Sequence, residues 1–179
     1  MQVLSESECA NWLSSHGYTF KNVVGLEGQE GYVSLPASHY RSVFKMPVST
    51  DARTQLFLSR HLAEWIQSSD VLLWVTSWAL YTPEEMKMFL DFRQSFGEQR
   101  RLIDAPGHLF QNGDADDVRH TTSLLLYMMA FNWEGFVLSH DAQSIIWMAD
   151  EILETSAKEK GKDFQFISSV KRLDVIKLP

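Results

Sequence analysis

The sequence predicts a single-domain α/β fold over residues 1–179, a mixed sheet with a central buried strand and helices packed on it. Three observations point there. Stretches rich in β-branched and aromatic residues alternate with segments of helical periodicity, the pattern of layered α/β domains. Residues 70–78, "DVLLWVTSW", are apolar at nearly every position, as a strand covered on both faces must be. With 179 residues, 45% hydrophobic and 22% charged, the chain has the size of one domain and enough apolar surface for its own core.

In chain order, Ser5 and Glu8 fit a capping box, and Cys9, Trp12, Leu13 and His16 follow at helical spacing before Gly17, so a short first helix is expected. Residues 18–46 change character. "YTFKNVV", "GYVSLPA" and "YRSVFKMP" are β-rich, divided by the glycine-rich turn or mobile loop "GLEGQEG", and predict a small antiparallel region. Ser49 or Thr50 is placed to cap the next helix, whose Leu58, His61, Leu62, Trp65 and Ile66 share one stripe. After the central strand, "TPEE" puts Thr82 at an N-cap, Pro83 at the first helical position and two acids where the helix dipole favours them. That helix should run to Gly97, with Met86, Phe89, Leu90, Arg93 and Phe96 along one side and Phe92 beside them.

"NGDADD" supplies a turn and an acidic N-cap before a helix so apolar over residues 124–131 that it belongs to the interior. "EGFVLSHDAQSIIWMAD" reads as two short strands around a polar turn; one helix from Asp141 onward also fits, and the hairpin is preferred. Ile152 and Leu153 then fall in a short charged helix closed by Gly161, and "FQFISSVKRLDVIKLP" alternates as a final edge strand. Antiparallel pieces are expected at the two ends of the chain.

Composition excludes several partners. Sixteen Lys and Arg against 23 Asp and Glu leave a formal charge of −7, which repels phosphate backbones and anionic lipid, and "EQRR" and "KRLDVIK" are too small to reverse it. Nucleic acid is therefore not an expected partner. The runs "VLLWV" and "SLLLYMMAF" fall far short of the roughly 18–20 apolar residues that span a bilayer, so no membrane is expected either. Cys9 is the sole cysteine, which excludes an intramolecular disulfide and a multi-cysteine metal centre. With an N-terminus unlike a secretory signal, it suggests the cytoplasm.

The chemistry-bearing residues are sparse. No two of the six histidines stand in an H-x-x-x-H pair, and no G-x-S-x-G elbow, phosphate loop or dinucleotide fingerprint occurs. His16 and His61 read as packed or capping residues, and the acids beside Cys9 raise its pKa. Glu84 and Glu85 are first-turn acids on different faces, and "NGDADD" lacks the rest of a calcium loop. Trp74 and Trp78, four apart, would share one side if the strand stayed extended. The densest ionisable group lies around "RLIDAPGHLF", where Arg100, Arg101, Asp104 and His108 surround a Pro-Gly pair. Pro106 and Gly107 fit a type II turn, which explains them without a site. The same loop is also the best address for one.

The order "LLWVTSW", "PEE", "FRQSFG", "APGHLF", an acid-led helix and "FNWEGFVL" resembles an uncharacterised family of bacterial proteins. In that family a Trp-rich strand end precedes a helix with R-x-S-x-G and then A-P-G-H. The likeness covers residues 70–140, and "IIWMADE" extends it. Tyr81 stands where the family has a second Trp, and Asn132, Trp133 and Glu134 replace a Gly-Trp-Asp group. The resemblance brings no activity. It implies that a shared surface, or a shared core, comprises Trp78, Arg93, His108 and Trp133.

Two functions from different classes fit these features. The favoured one is a non-enzymatic acidic binding protein, immunity- or antitoxin-like, that neutralises a basic protein partner by charge complementarity. The other is a small enzyme or ligand-binding domain whose site comprises Arg93, Asp104, His108 and the tryptophans Trp78 and Trp133, which requires a cavity beside the imidazole. A structural subunit using exposed aromatics as a homodimer face is a third. No catalytic residue, metal or cofactor is expected.

Overall fold

The computed structural model describes residues 1–25, 28–34, 40–46, 51–66, 68–79, 82–111, 115–162 and 176–178. In chain order its elements are β1 (Gln2–Leu4), α1 (Glu6–Ser15), β2 (Thr19–Gly25), β3 (Gly28–Ser34), β4 (Tyr40–Lys45), α2 (Ala52–Ile66), β5 (Asp70–Ser77), α3 (Pro83–Gln94), β6 (Gly107–Gln111), α4 (Ala115–Ala130), β7 (Glu134–Ser139), β8 (Ser144–Ala149), β9 (Ile152–Ala157) and β10 (Ile176–Lys177). Among the described residues, eight strands form one sheet in the order β1-β6-β5-β7-β8-β9-β4-β10, and β2 and β3 form a separate hairpin. Antiparallel pairing, expected at the ends of the chain, runs through the whole sheet.

The continuous apolar run places β5 in the interior of this sheet. Val71 to Val75 are at most 3% exposed, and β6 and β7 take up the hydrogen bonds of both edges. Strand alternation divides the core into two layers. Val71, Leu73 and Val75 face a cluster supplied by α2, α3 and α4, including Leu62, Ile66, Phe89, Leu124 and Met128. Leu72 and Trp74 face the opposite cluster with Cys9 and Leu13 of α1, Tyr18, and Val33 of β3.

Local signals set the helix ends. Ser5 Oγ accepts from the Glu8 amide while the Glu8 carboxylate accepts from the Ser5 amide, and Thr82 and Glu85 repeat the exchange on α3. Ser49, Thr50 and the acid at position 114 lie outside the described residues; for α2, Asp51 Oδ1 accepts from the Thr54 amide at 2.9 Å. The apolar end of α4 closes on Asn132, at φ 52°, with the Trp133 amide donating to Met128 O and the Asn132 amide to Met129 O. This Schellman arrangement turns the chain so that Trp133 re-enters the core. The preferred hairpin at residues 134–149 is present as β7 and β8.

Four expectations are corrected. The charged segment at Ile152 and Leu153 is strand β9, paired with both β8 and β4. Its period-2 pattern is masked because Glu154, Thr155 and Ser156 are buried polar residues, so composition imitates an exposed helix. Helix α3 ends at Gln94 rather than running to Gly97, because residues 95–97 form a turn that closes on Gly97 at φ 79°. Trp74 and Trp78 lie on opposite sides of the sheet, because the β5–β7 register shifts between Val75 and Ser77. Pro106 and Gly107 do not make a type II turn: the turn is at residues 102–104, and Gly107 opens β6 without a positive φ. Of the expected C-terminal edge strand, Ile176 and Lys177 pair with β4, and the preceding residues lie outside the described ones.

Gly107 is required by packing instead. A Cβ there would lie 2.2 Å from Cys9 Sγ and 3.1 Å from Leu4 Cβ. Gly107→Ala should therefore destabilise the protein by roughly 1–3 kcal/mol through overpacking. The double variant Cys9→Ala/Gly107→Ala should recover part of that loss. Urea denaturation of the two single variants and the double variant measures the coupling; strict additivity would refute the steric account.

Candidate functional site

The structure brings four of the five sequence candidates together and leaves one out. Trp78, at the end of β5, packs against Phe89 of α3 at 5.6 Å between ring centroids and edge-on to Trp133 at 4.7 Å. His108 of β6 lies 5.9 Å from Phe89 and 6.4 Å from Trp78. Trp133 is anchored by its indole N–H, which donates to Ala79 O at 2.9 Å. Arg93 is 1% exposed and donates from Nη2 to Ala105 O at 2.9 Å. Asp104 is separate, at the surface, where its carboxylate accepts two hydrogen bonds from Arg101 at 2.7 and 2.9 Å.

Arg93, His108 and Trp133 are buried, and Trp78 is half-buried at the edge of the group. His108 is 0% exposed, and neither ring nitrogen makes a hydrogen bond of good geometry, although the carbonyls of Leu73 and Pro106 lie nearby. Burial, reinforced by the Arg93 guanidinium, pushes the imidazole pKa down to about 3, so the ring is neutral at physiological pH. Burial also lowers the Arg93 pKa, which nearby Glu98 partly offsets, and Arg93 Nε and Nη1 have no partner. Glu98 is itself held down to about 2 by its hydrogen bonds from Arg100, which also donates to Val3 O. Both arginines of "EQRR" are thus paired with acids. Cys9 is equally closed: burial first, then Glu8 and Glu6, pushes its thiol up to about 12, far from a thiolate nucleophile.

Concave surface lies elsewhere, lined by residues outside the sequence candidates. A groove of about 700 Å³ runs between α2, the end of α4 and the β8–β9 turn. Its walls include Met46, Leu58 and Met129, with Asn132, Asp150 and Glu151 among its polar residues. Asp150 accepts from the Asn132 amide group at 3.2 Å, and Glu151 pairs with Lys45 at 3.2 Å. A smaller pocket of about 140 Å³ lies between β3 and the sheet, lined by Val33, Arg41, Phe136, Ile145, Trp147, Glu154 and Ser156. The signal that could have found it is the pair of polar positions 154 and 156, two apart in a strand and therefore on one face. Distant His16 and His140 also meet, with ring centroids 4.4 Å apart, but among the described residues no group of three His, Cys, Asp or Glu is placed to hold a metal. No described helix is long and apolar enough to cross a membrane.

No protein-family model, curated protein or solved structure matches this chain.

The buried imidazole carries a pH signature. Its folded pKa lies below the unfolded value of 6.5, so below pH 6.5 the unfolded chain binds a proton that the folded one refuses. Stability present above pH 6.5 is lost as pH falls toward 3, by up to roughly 4–5 kcal/mol. His108→Leu should flatten the stability profile across this window while leaving stability at pH 7 equal or higher, measured by urea denaturation at stepped pH. An unchanged acid limb would show that other groups set it.

Proposed function

We propose that this chain is a non-catalytic, acidic binding protein of the cytoplasm, immunity- or antitoxin-like, whose partner is a basic protein seated in the groove between α2, α4 and the β8–β9 turn. The groove itself carries the reading: about 700 Å³ of open concavity, with adaptable methionine walls at Met46 and Met129 and the carboxylates of Asp150 and Glu151. Half-exposed Leu56 lies on the same helix as Gln55 and Leu58 of its lining. A formal charge of −7 on 179 residues adds long-range attraction for a basic partner and speeds its encounter. The enzyme reading centred on His108 is disfavoured, because a general base must reach the proton it takes and this imidazole is sealed among Trp78, Phe89 and Trp133.

The test begins with capture from cells of the natural host and continues with purified components. A basic protein should bind the purified chain with affinity that falls about tenfold or more between low and moderately high salt, and Asp150→Lys/Glu151→Lys should abolish the complex. Absence of any complex at low salt, binding indifferent to the charge reversal, or self-association alone by light scattering would overturn the proposal.

A further inference from the structure

The small pocket on the hairpin side of the sheet has the makings of a ligand site distinct from the groove. Its walls are apolar and aromatic: Val33 of β3, Phe136 of β7, and Ile145 and Trp147 of β8. Register brings them to one face, since Phe136 pairs with Trp147, and Trp147 pairs in turn with Glu154. Its polar groups are few and convergent, as in pockets that orient small molecules. Glu154 is 8% exposed, and its Oε2 accepts from Arg41 Nη2 at 2.5 Å. Ser156 is 2% exposed, lines the same pocket and has a buried hydroxyl without a hydrogen-bond partner. A lone buried hydroxyl is costly unless something supplies a donor.

The Arg41–Glu154 pair shows what the pocket selects. The Arg41 side chain is 62% exposed whereas that of Glu154 is 10% exposed, so the acid belongs to the pocket floor and the guanidinium reaches in from the mouth. The cation is the displaceable member. At about 140 Å³ the pocket matches the cavity size that holds a benzene-sized molecule. The faces of Phe136 and Trp147 favour positive charge as well as apolar surface.

We propose that this pocket binds a small organic cation, a primary amine on a ring or short apolar body, with the ammonium on Glu154 and Ser156 in the place of the Arg41 guanidinium. The ammonium supplies three donors, enough for both carboxylate oxygens and the serine hydroxyl. Its body rests against Phe136, Ile145 and Trp147. This site is independent of the partner groove, and either reading can fail without the other.

Benzylamine is the probe, with benzyl alcohol and benzoate as neutral and anionic controls of similar size, read by calorimetry and by tryptophan fluorescence. Benzylamine should bind the wild-type chain and benzyl alcohol about tenfold or more weakly, reflecting a charge-assisted contact. Glu154→Gln should weaken benzylamine by a similar factor. Arg41→Ala, a change at an exposed side chain, should tighten it by removing the internal competitor, an increase that misfolding cannot produce. Preference for benzoate, loss of benzylamine binding in Arg41→Ala, or no binding of benzylamine to either wild type or Arg41→Ala would overturn the proposal.

Discussion

The structure depends on one constraint: five consecutive residues of β5 are shielded from water on both faces. A strand with only one covered face would leave Leu72 and Trp74, or Val71, Leu73 and Val75, exposed, and burial of each such side chain contributes roughly 1.5–3 kcal/mol. Two covering layers are therefore obligatory. Each docks closely at a glycine beside the end of β5. Trp74 pairs with Gly107 on one side, where Cys9 of α1 descends; Val75 pairs with Gly135 on the other, where Met128 of α4 approaches. A Cβ at Gly135 would lie 2.4 Å from the Trp74 carbonyl and 3.0 Å from Met128 Cε, so this notch admits the backbone of β5 as well as the helix. The buried strand, the two glycines and the two layers are one mutually dependent arrangement.

That dependence explains why the middle of the fold was legible in the sequence. A run such as "VLLWV" has no polar position to offer water, and the caps at Ser5 and Thr82 are local hydrogen-bond exchanges that need no tertiary information. The β7–β8 hairpin was likewise readable from its polar turn between two apolar segments. β9 was not. Its Glu154 is made tolerable by a long-range partner, Arg41, 113 positions away, which no local pattern announces, and the buried hydroxyls of Thr155 and Ser156 have no hydrogen-bond partner at all among the described residues. Gly107 misled in the opposite direction: a Pro-Gly pair has a sufficient local explanation as a turn, and the contact that requires glycine comes from Cys9 on α1.

The candidate site divides along the same line. Trp78, Arg93, His108 and Trp133 were selected for their chemistry, and tertiary packing gathers them because they close the helix-covered layer around Phe89. The interior there shields a neutral imidazole, and a guanidinium with one carbonyl acceptor, from solvent. Asp104, the member that could have completed an acid–base pair with His108, is committed to Arg101 at the surface. The residues facing concave space came instead from positions with no distinguishing local motif.

The two layers differ in what they can tolerate, and this bears on where binding can reside. Aromatic rings of α3, α4 and the turn after α4 interlock on the helix side, with Phe89, Phe92, Tyr127, Phe131 and Trp133 in successive contact, so a ligand entering there would have to undo close packing. On the other face the cover over β7, β8 and β9 includes a two-stranded ribbon, an element that has little stability of its own and is held by residues such as Val33. Tyr18, just before the ribbon, fastens that layer through its hydroxyl, which donates to Ser139 O at 2.7 Å. A polar floor under such a cover can exchange an exposed arginine for an incoming cation without disturbing β5 or its glycine notches, which places adaptability on the face where rigidity is least needed.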